Sequence, residues 1–173
     1  MTQTYTTLIS ASELAQLVAQ QAPLRIFDCR ARLGAPEQGG LLFRAGHIQG
    51  ALQADLDAQL ADAPNTQGRH PLPPFEQWLA QVQRWGLQPE EQVVVYDDAG
   101  GQMAARAWWM FKIFGHKNIK IVDGGFKAWK DQGGPLERRE NIFKETTYVA
   151  QKINLNLYDN LDNIIEDLDN YRN

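Results

Sequence analysis

Apolar positions along the chain change period several times, and each change marks an element. Leu14, Leu17 and Val18 share one helical face, opened by a Ser10-x-x-Glu13 capping box. Pro23 separates that helix from Leu24-Arg-Ile-Phe-Asp28, whose short apolar run predicts a strand. Ala31 to Leu42 is rich in glycine and proline and reads as a loop. After Pro73 and Pro74, residues Phe75, Trp78, Leu79, Val82 and Trp85 recur at helical spacing up to Gly86, a stripe that belongs in a core. Gln92 to Tyr96 is a β-branched and aromatic run of the kind that forms a buried parallel strand. Asp97 to Gln102 forms a glycine-containing loop, and the alanine-rich stretch over roughly 103–114 a helix with Gly115 as its cap. Ile119 to Val122 predicts a further strand, and Gly125 to Gln132 a helix stopped by Gly133, Gly134 and Pro135.

Strands alternating with helices imply an α/β fold, in three layers, with a mainly parallel central sheet flanked by helices. In such folds sites lie at the carboxyl ends of the strands, and three of the predicted strands lead into aspartates: Asp28, Asp97 and Asp123. For Asp28 and Asp123 the simpler role is capping the following turn. The loop from Asp97 runs from a strand into a helix N-terminus, which gathers backbone N–H groups where an anion can sit. Beyond residue 137 the chain turns polar and reads as a linker. Leu155, Leu157, Leu161, Ile164, Ile165 and Leu168 then recur at helix-like intervals. The stretch around Leu157 to Leu161 loosely repeats Leu8 to Leu14, as if a second domain were beginning. Residues 141–173 are therefore expected to pack loosely when the chain is alone.

Composition narrows the picture. A length of 173 residues allows one ordinary domain and part of another, and 43% apolar residues with five tryptophans provide for a core. A net charge of −4 without a basic stripe argues against a nucleic-acid partner. No apolar run has the length of a membrane span, and Met1 to Tyr5 lacks the character of a signal peptide, so a cytoplasmic protein is the expectation. Cys29 is the single cysteine, which excludes an internal disulfide and a cysteine-based zinc cluster. At a strand end it is expected to be a small packed hydrophobe, although Arg30 beside it could lower its pKa. His47, His70 and His116 have no metal-ligand spacing, and no cofactor is implied. All seven lysines follow residue 110, and asparagine shows the same bias, a compositional seam near Met110 that could mark the joining of two genes.

Four stretches together resemble rhodanese-type sulfurtransferases over about residues 8–137. They are Gly46-His-Ile-Gln-Gly-Ala51, the loop after Tyr96, Arg106-Ala-Trp-Trp-Met110, and Val122-Asp-Gly-Gly-Phe-Lys-Ala-Trp129 followed by Gly134-Pro-Leu-Glu137. The chain looks like the N-terminal half of a tandem thiosulfate or 3-mercaptopyruvate sulfurtransferase, with 138–173 as linker and start of a second rhodanese-like domain. In that family the loop begins with a cysteine that carries a persulfide, and Asp97 stands in its place. The resemblance therefore implies a half that is inactive alone and needs the second domain as its partner. The donor would be a small anionic sulfur compound and the acceptor a thiol or cyanide. Asp57 and His70 match the aspartate and histidine that the first domain of mercaptopyruvate-type members lends to the shared cleft. A carboxylate orienting an imidazole selects one tautomer and stabilises its cation. Arg30 and Arg69, with Arg32 and Arg44, lie on loops near that cleft and could steer the anionic donor. His47, in a tight turn, is expected to bond backbone. Two other readings stand beside this one: a free-standing rhodanese-like module for protein recognition, and phosphoryl or hydrolase chemistry on Asp97. The second lacks a partner carboxylate two residues on and a phosphate-binding Gly-x-x-x-x-Gly-Lys loop.

Overall fold

The computed structural model describes residues 7–66 and 68–150. The chain runs β1 (Leu8–Ile9), α1 (Ala11–Ala19), β2 (Leu24–Asp28), α2 (Glu37–Ala45), β3 (His47–Ile48) and β4 (Ala51–Gln53). It continues through α3 (Phe75–Arg84), β5 (Gln92–Tyr96), α4 (Gln102–Ile113), β6 (Ile119–Val122), α5 (Gly125–Asp131) and β7 (Leu136–Glu137). Five strands form one sheet in the order β1-β6-β5-β2-β4, with every neighbouring pair parallel. Strand β5 is internal, as its apolar run requires. Strands β3 and β7 pair antiparallel apart from it. None of the described helices is long and apolar enough to cross a membrane.

The period of two along β2 and β5 divides the interior into two cores. Phe27, Val93 and Val95 face Trp78 and Val82 of α3 and Met110 and Phe111 of α4. Ile26, Val94 and Tyr96 face Leu14 of α1, Phe43 of α2 and Phe126 and Trp129 of α5. Trp78 meets Phe111 edge-on at 5.0 Å between ring centroids, and Phe27 meets Trp85 at 4.7 Å. The compositional seam at Met110 falls inside α4, whose buried residues Ala104, Ala107, Met110, Phe111 and Ile113 belong to a single core.

Local chemistry sets the helix ends. The Ser10 hydroxyl accepts from Glu13 N at 3.2 Å, and the Glu13 carboxylate accepts from Ser10 N at 2.9 Å. After α4, Gly115 at φ +90° lets its N–H reach the Lys112 carbonyl and the His116 N–H reach Phe111, a Schellman closure. One expectation fails here: Ala31 to Leu42 is not all loop, because α2 begins at Glu37. Gly39 and Gly40 weaken its helical pattern, but a Cβ on Gly39 would lie 2.8 Å from the Arg30 carbonyl. That glycine serves close packing against the loop after β2.

Residues 141–150 also depart from expectation, since they do not pack loosely. They form a strap docked along the domain. The Asn141 amide donates to the Ala51 carbonyl at 3.0 Å, and the Arg25 guanidinium lies 3.8 Å from the centre of the Phe143 ring. Thr146 donates from N to the Gln83 carbonyl and from Oγ1 to the Leu87 carbonyl. Tyr148 is buried in the core of α3 and α4, with its hydroxyl 3.1 Å from His116 Nδ1. The polar sequence hides this docking because main-chain groups make most of the bonds. The repeat around Leu157 to Leu161 lies outside the described residues.

His116 links the strap to the sheet. Its Nε2–H donates to the Glu91 carbonyl at 3.0 Å, and in the neutral ring Nδ1 accepts from the Tyr148 hydroxyl. Burial pushes this imidazole below its ordinary value of 6.5, more strongly than the bond to Glu91 raises it. A histidine depressed in the fold contributes stability above its unfolded pKa, and loses it as pH falls toward the folded one. The urea midpoint should therefore fall as pH drops below about 6.5, with a shallower acid limb in His116→Gln. Equal slopes in the two proteins would show that His116 is not a source of the acid sensitivity.

Candidate functional site

Asp97 follows β5 directly, and its carboxylate closes the loop into α4. Oδ1 accepts from Ala99 N and Gly101 N, both at 2.9 Å. Oδ2 accepts from Met103 N at 2.8 Å and Ala104 N at 2.9 Å. The side chain thus satisfies four main-chain donors at a helix N-terminus, where the dipole favours negative charge. Its carbonyl accepts from Phe126 N at 2.8 Å, joining the loop to α5. Gly125 permits that approach: it sits at φ +58°, and a Cβ there would lie 2.4 Å from the Asp97 carbonyl oxygen. Beside it Asp98 forms a two-pronged pair with Arg32 at 2.7 and 2.8 Å, which holds the Asp98 carboxyl below its usual range. The pair is exposed and adds little stability. Next to the loop lies a cavity of about 480 Å³ lined in part by Leu8, Asp98, Asp123 and Lys127. Among the described residues no group of three or more His, Cys, Asp or Glu side chains could hold a metal ion.

Asp57 and His70, thirteen residues apart, meet: Asp57 Oδ1 lies 3.1 Å from His70 Nε2. A carboxylate only accepts, so Nε2 carries the proton and Nδ1 is the nitrogen outside this bond. Asp57 sits on a turn held by Asp55, whose Oδ1 accepts from Asp57 N at 3.0 Å and Ala58 N at 2.8 Å. Both partners remain partly open to solvent, His70 at 23% and Asp57 at 47% side-chain exposure. An imidazole so oriented, and reachable from outside, can exchange a proton with a bound molecule.

The arginines do not all serve the same face. Arg30 is buried, which corrects the expectation that it steers substrate. Its guanidinium pairs with Asp28 at 2.6 Å, donates to the Leu42 and Gly46 carbonyls, and lies 4.0 Å from the Phe126 ring centre. Arg69 is exposed, with Nη2 beside Gly34 of the loop after β2. Asp28 does more than cap a turn, since Oδ2 also accepts from the Tyr96 hydroxyl at 2.8 Å. Cys29 is buried in the core. Burial pushes its thiol well up, and the negative charges of Asp28 and Asp97 push the same way, so Arg30 does not activate it. His47 Nδ1 donates to the Phe43 carbonyl at 2.8 Å, and its ring stacks on Phe43 with centroids 3.7 Å apart.

A family model for the rhodanese-like domain matches residues 10–132. The chain belongs to the rhodanese-like domain family. SseB of Mycobacterium tuberculosis, named for thiosulfate sulfurtransferase activity, is 36% identical over 157 residues, covering 86% of this chain and 55% of that protein. A probable 3-mercaptopyruvate sulfurtransferase of Pseudomonas aeruginosa is 37% identical over 148 residues, covering 83% of this chain and 51% of its own length. The chain thus spans about half the length of these two relatives. The crystal structure of SseA from Escherichia coli, a 3-mercaptopyruvate sulfotransferase, superposes with a TM-score of 0.81 at 25% identity, covering 94% of this chain and 61% of that one.

Within this rhodanese-like domain one residue, read from the sequence only as part of the Arg106–Met110 stretch, has contacts the sequence does not show. Arg106, one turn into α4 from Gln102, donates to the carbonyls of Leu60, His70 and Pro71. Its targets are main-chain oxygens far away in sequence, so no side-chain motif announces them. Asp97 gives the sharper test of the loop. Asp97→Ala should lower unfolding stability by about 2–4 kcal/mol, because four donors lose a charged acceptor. Asp97→Asn should cost a comparable amount, since its NH₂ would face two N–H groups. An Asn variant within about 0.5 kcal/mol of the parent in urea unfolding, the size of a neutral surface change, would mean that the charge is not needed.

Proposed function

We propose that this chain is the amino-terminal, non-catalytic half of a tandem sulfurtransferase. The rhodanese-like domain would cover residues 8–137, and residues 138–173 would lead into a second rhodanese-like domain that carries the persulfide-forming cysteine. The observation that carries this reading is the Asp97 carboxylate on four main-chain N–H groups. Such a nest suits a thiolate or its persulfide, but an aspartate cannot hold a sulfane sulfur. Cys29 is no substitute, being buried with its thiol pushed well up. Coverage of about half of the two sulfurtransferase relatives supports the same division.

In the complete protein a cysteine thiolate of the partner domain would attack a small anionic donor, at the outer sulfur of thiosulfate (breaking its S–S bond) or at the thiol sulfur of 3-mercaptopyruvate (breaking its C–S bond). A sulfur–sulfur bond forms, and sulfite or the pyruvate carbanion equivalent leaves with the electron pair of the broken bond. A thiol or cyanide then takes the outer sulfur and regenerates the cysteine. His70, oriented by Asp57, would take the thiol proton of 3-mercaptopyruvate on Nδ1 and return it to the pyruvate leaving group. Arg69, exposed near the same loops, would help attract the anion. The lone reduced cysteine suits a cytoplasmic setting.

Two measurements test this reading. The chain alone should show no thiosulfate:cyanide turnover; robust turnover abolished by Cys29→Ser would overturn the proposal. In a protein joined to a second rhodanese-like domain, His70→Ala should lower turnover with 3-mercaptopyruvate by about 10²–10⁴-fold and leave folding intact. Unchanged turnover would reduce His70 to an ordinary loop residue.

A further inference from the structure

We infer that Arg106 is a positioning residue that sets the Asp57–His70 pair, a role resting on the function proposed for that pair. The connection from Leu60 to Pro71 contains no helix or sheet strand among its described residues. Its roots, Leu60, Ala61 and Pro71, are buried, while most of the described residues between them are exposed. A chain of this length has many conformations open to it unless its ends are tied. Asp62 N donates to the Pro71 carbonyl at 3.0 Å, which closes the loop once. The Arg106 guanidinium closes it again from beneath. Nε and Nη2 donate to the Leu60 carbonyl at 3.1 and 2.9 Å, and Nη2 reaches the His70 and Pro71 carbonyls at 3.1 and 3.3 Å.

Both strands of the loop root are therefore fastened to one cation, and one of the fastened groups is the main chain of His70 itself. The imidazole on that main chain is the group that meets Asp57. Asp57 is fixed independently through Asp55, so the geometry of the pair depends on where the His70 backbone is held. The Trp109 ring, centred 5.4 Å from the Arg106 guanidinium carbon, braces the side chain on α4. A guanidinium is suited to this work because its donors form a rigid planar fork, whereas a lysine ammonium is a point charge on a flexible stem. The helix whose first turn binds the Asp97 carboxylate thus also sets the acid–base pair, which ties two parts of the site to one rigid element.

The test uses the full chain with ¹⁵N-labelled histidine. The ring-nitrogen signals of His70 report its bond to Asp57, those of His47 and His116 report the folded interior, and amide exchange reports the loop. Asp57→Asn should change the His70 signals alone. Arg106→Met should produce a change of the same kind, leave His47 and His116 as they were, and speed amide exchange between Leu60 and Pro71 by about tenfold or more, the equivalent of one hydrogen bond to a charged group. Arg106→Lys keeps the charge without the fork and should show the same His70 change; it carries the test if the Met variant fails to fold. Wild-type His70 signals in either Arg106 variant, alongside a clear response to Asp57→Asn, would overturn the inference and leave the proposed function standing. No response to Asp57→Asn would show that the pair does not form in solution; the inference and the role proposed for the pair would then fall together, while the reading carried by Asp97 would stand.

Discussion

A buried negative charge held by four main-chain N–H groups organises this domain. The Asp97 carboxylate lies at the end of the central strand with its two oxygens shared among four amides, and those amides are the turn and first residues of α4. Helix starts leave donors without intrahelical partners, so a fixed anion at that point answers a requirement every helix has. Here the anion comes from the chain itself. The loop is complete without a ligand, and its geometry passes to α5 through the bond from Phe126 N to the Asp97 carbonyl. The anion-binding nest that the strand–loop–helix setting creates is thus occupied by the chain's own carboxylate.

One strand away, the second buried charge is compensated differently. Asp28 pairs with Arg30, and the guanidinium continues to two carbonyls of α2 and the turn after it, while Tyr96 bridges Asp28 to the Ile48 N–H. Losing one member would leave another charge buried without a partner, which is strongly unfavourable. Burial first, and then the negative charges of Asp28 and Asp97, push the Cys29 thiol well up beside this network. This explains why an arginine beside a cysteine does not by itself indicate a reactive thiol.

Where the two aspartates above are internal, Asp57 and His70 face outward from loops that the scaffold holds at their roots. Arg106 holds one of those roots and Asp55 the turn that carries Asp57. Loops can carry functional groups when a rigid element positions them. The strap from Asn141 to Tyr148 extends the same scaffold, covering the far side of the domain through main-chain bonds and one buried tyrosine.

The amino-acid sequence by itself determined the order of the main strands and helices, the parallel sheet and the core stripe from Phe75 to Trp85. These follow from local rules: periods of two and 3.6, the Ser10–Glu13 box, and Gly115 beyond α4. The Asp97 loop and the Asp57–His70 pair were also legible, the first from its strand–loop–helix setting and the second through family resemblance. Only the tertiary structure decided the rest. Helix α2 was hidden because its glycines answer to the Arg30 carbonyl rather than to helix propensity. Arg30 passed for an exposed arginine because its partners, Leu42 and Gly46, lie a turn and a helix away. The docking of the strap and the contacts of Arg106 were invisible for the same reason. Their bonds go to main-chain carbonyls, which every residue possesses, so only the folded chain determines which of them are within reach.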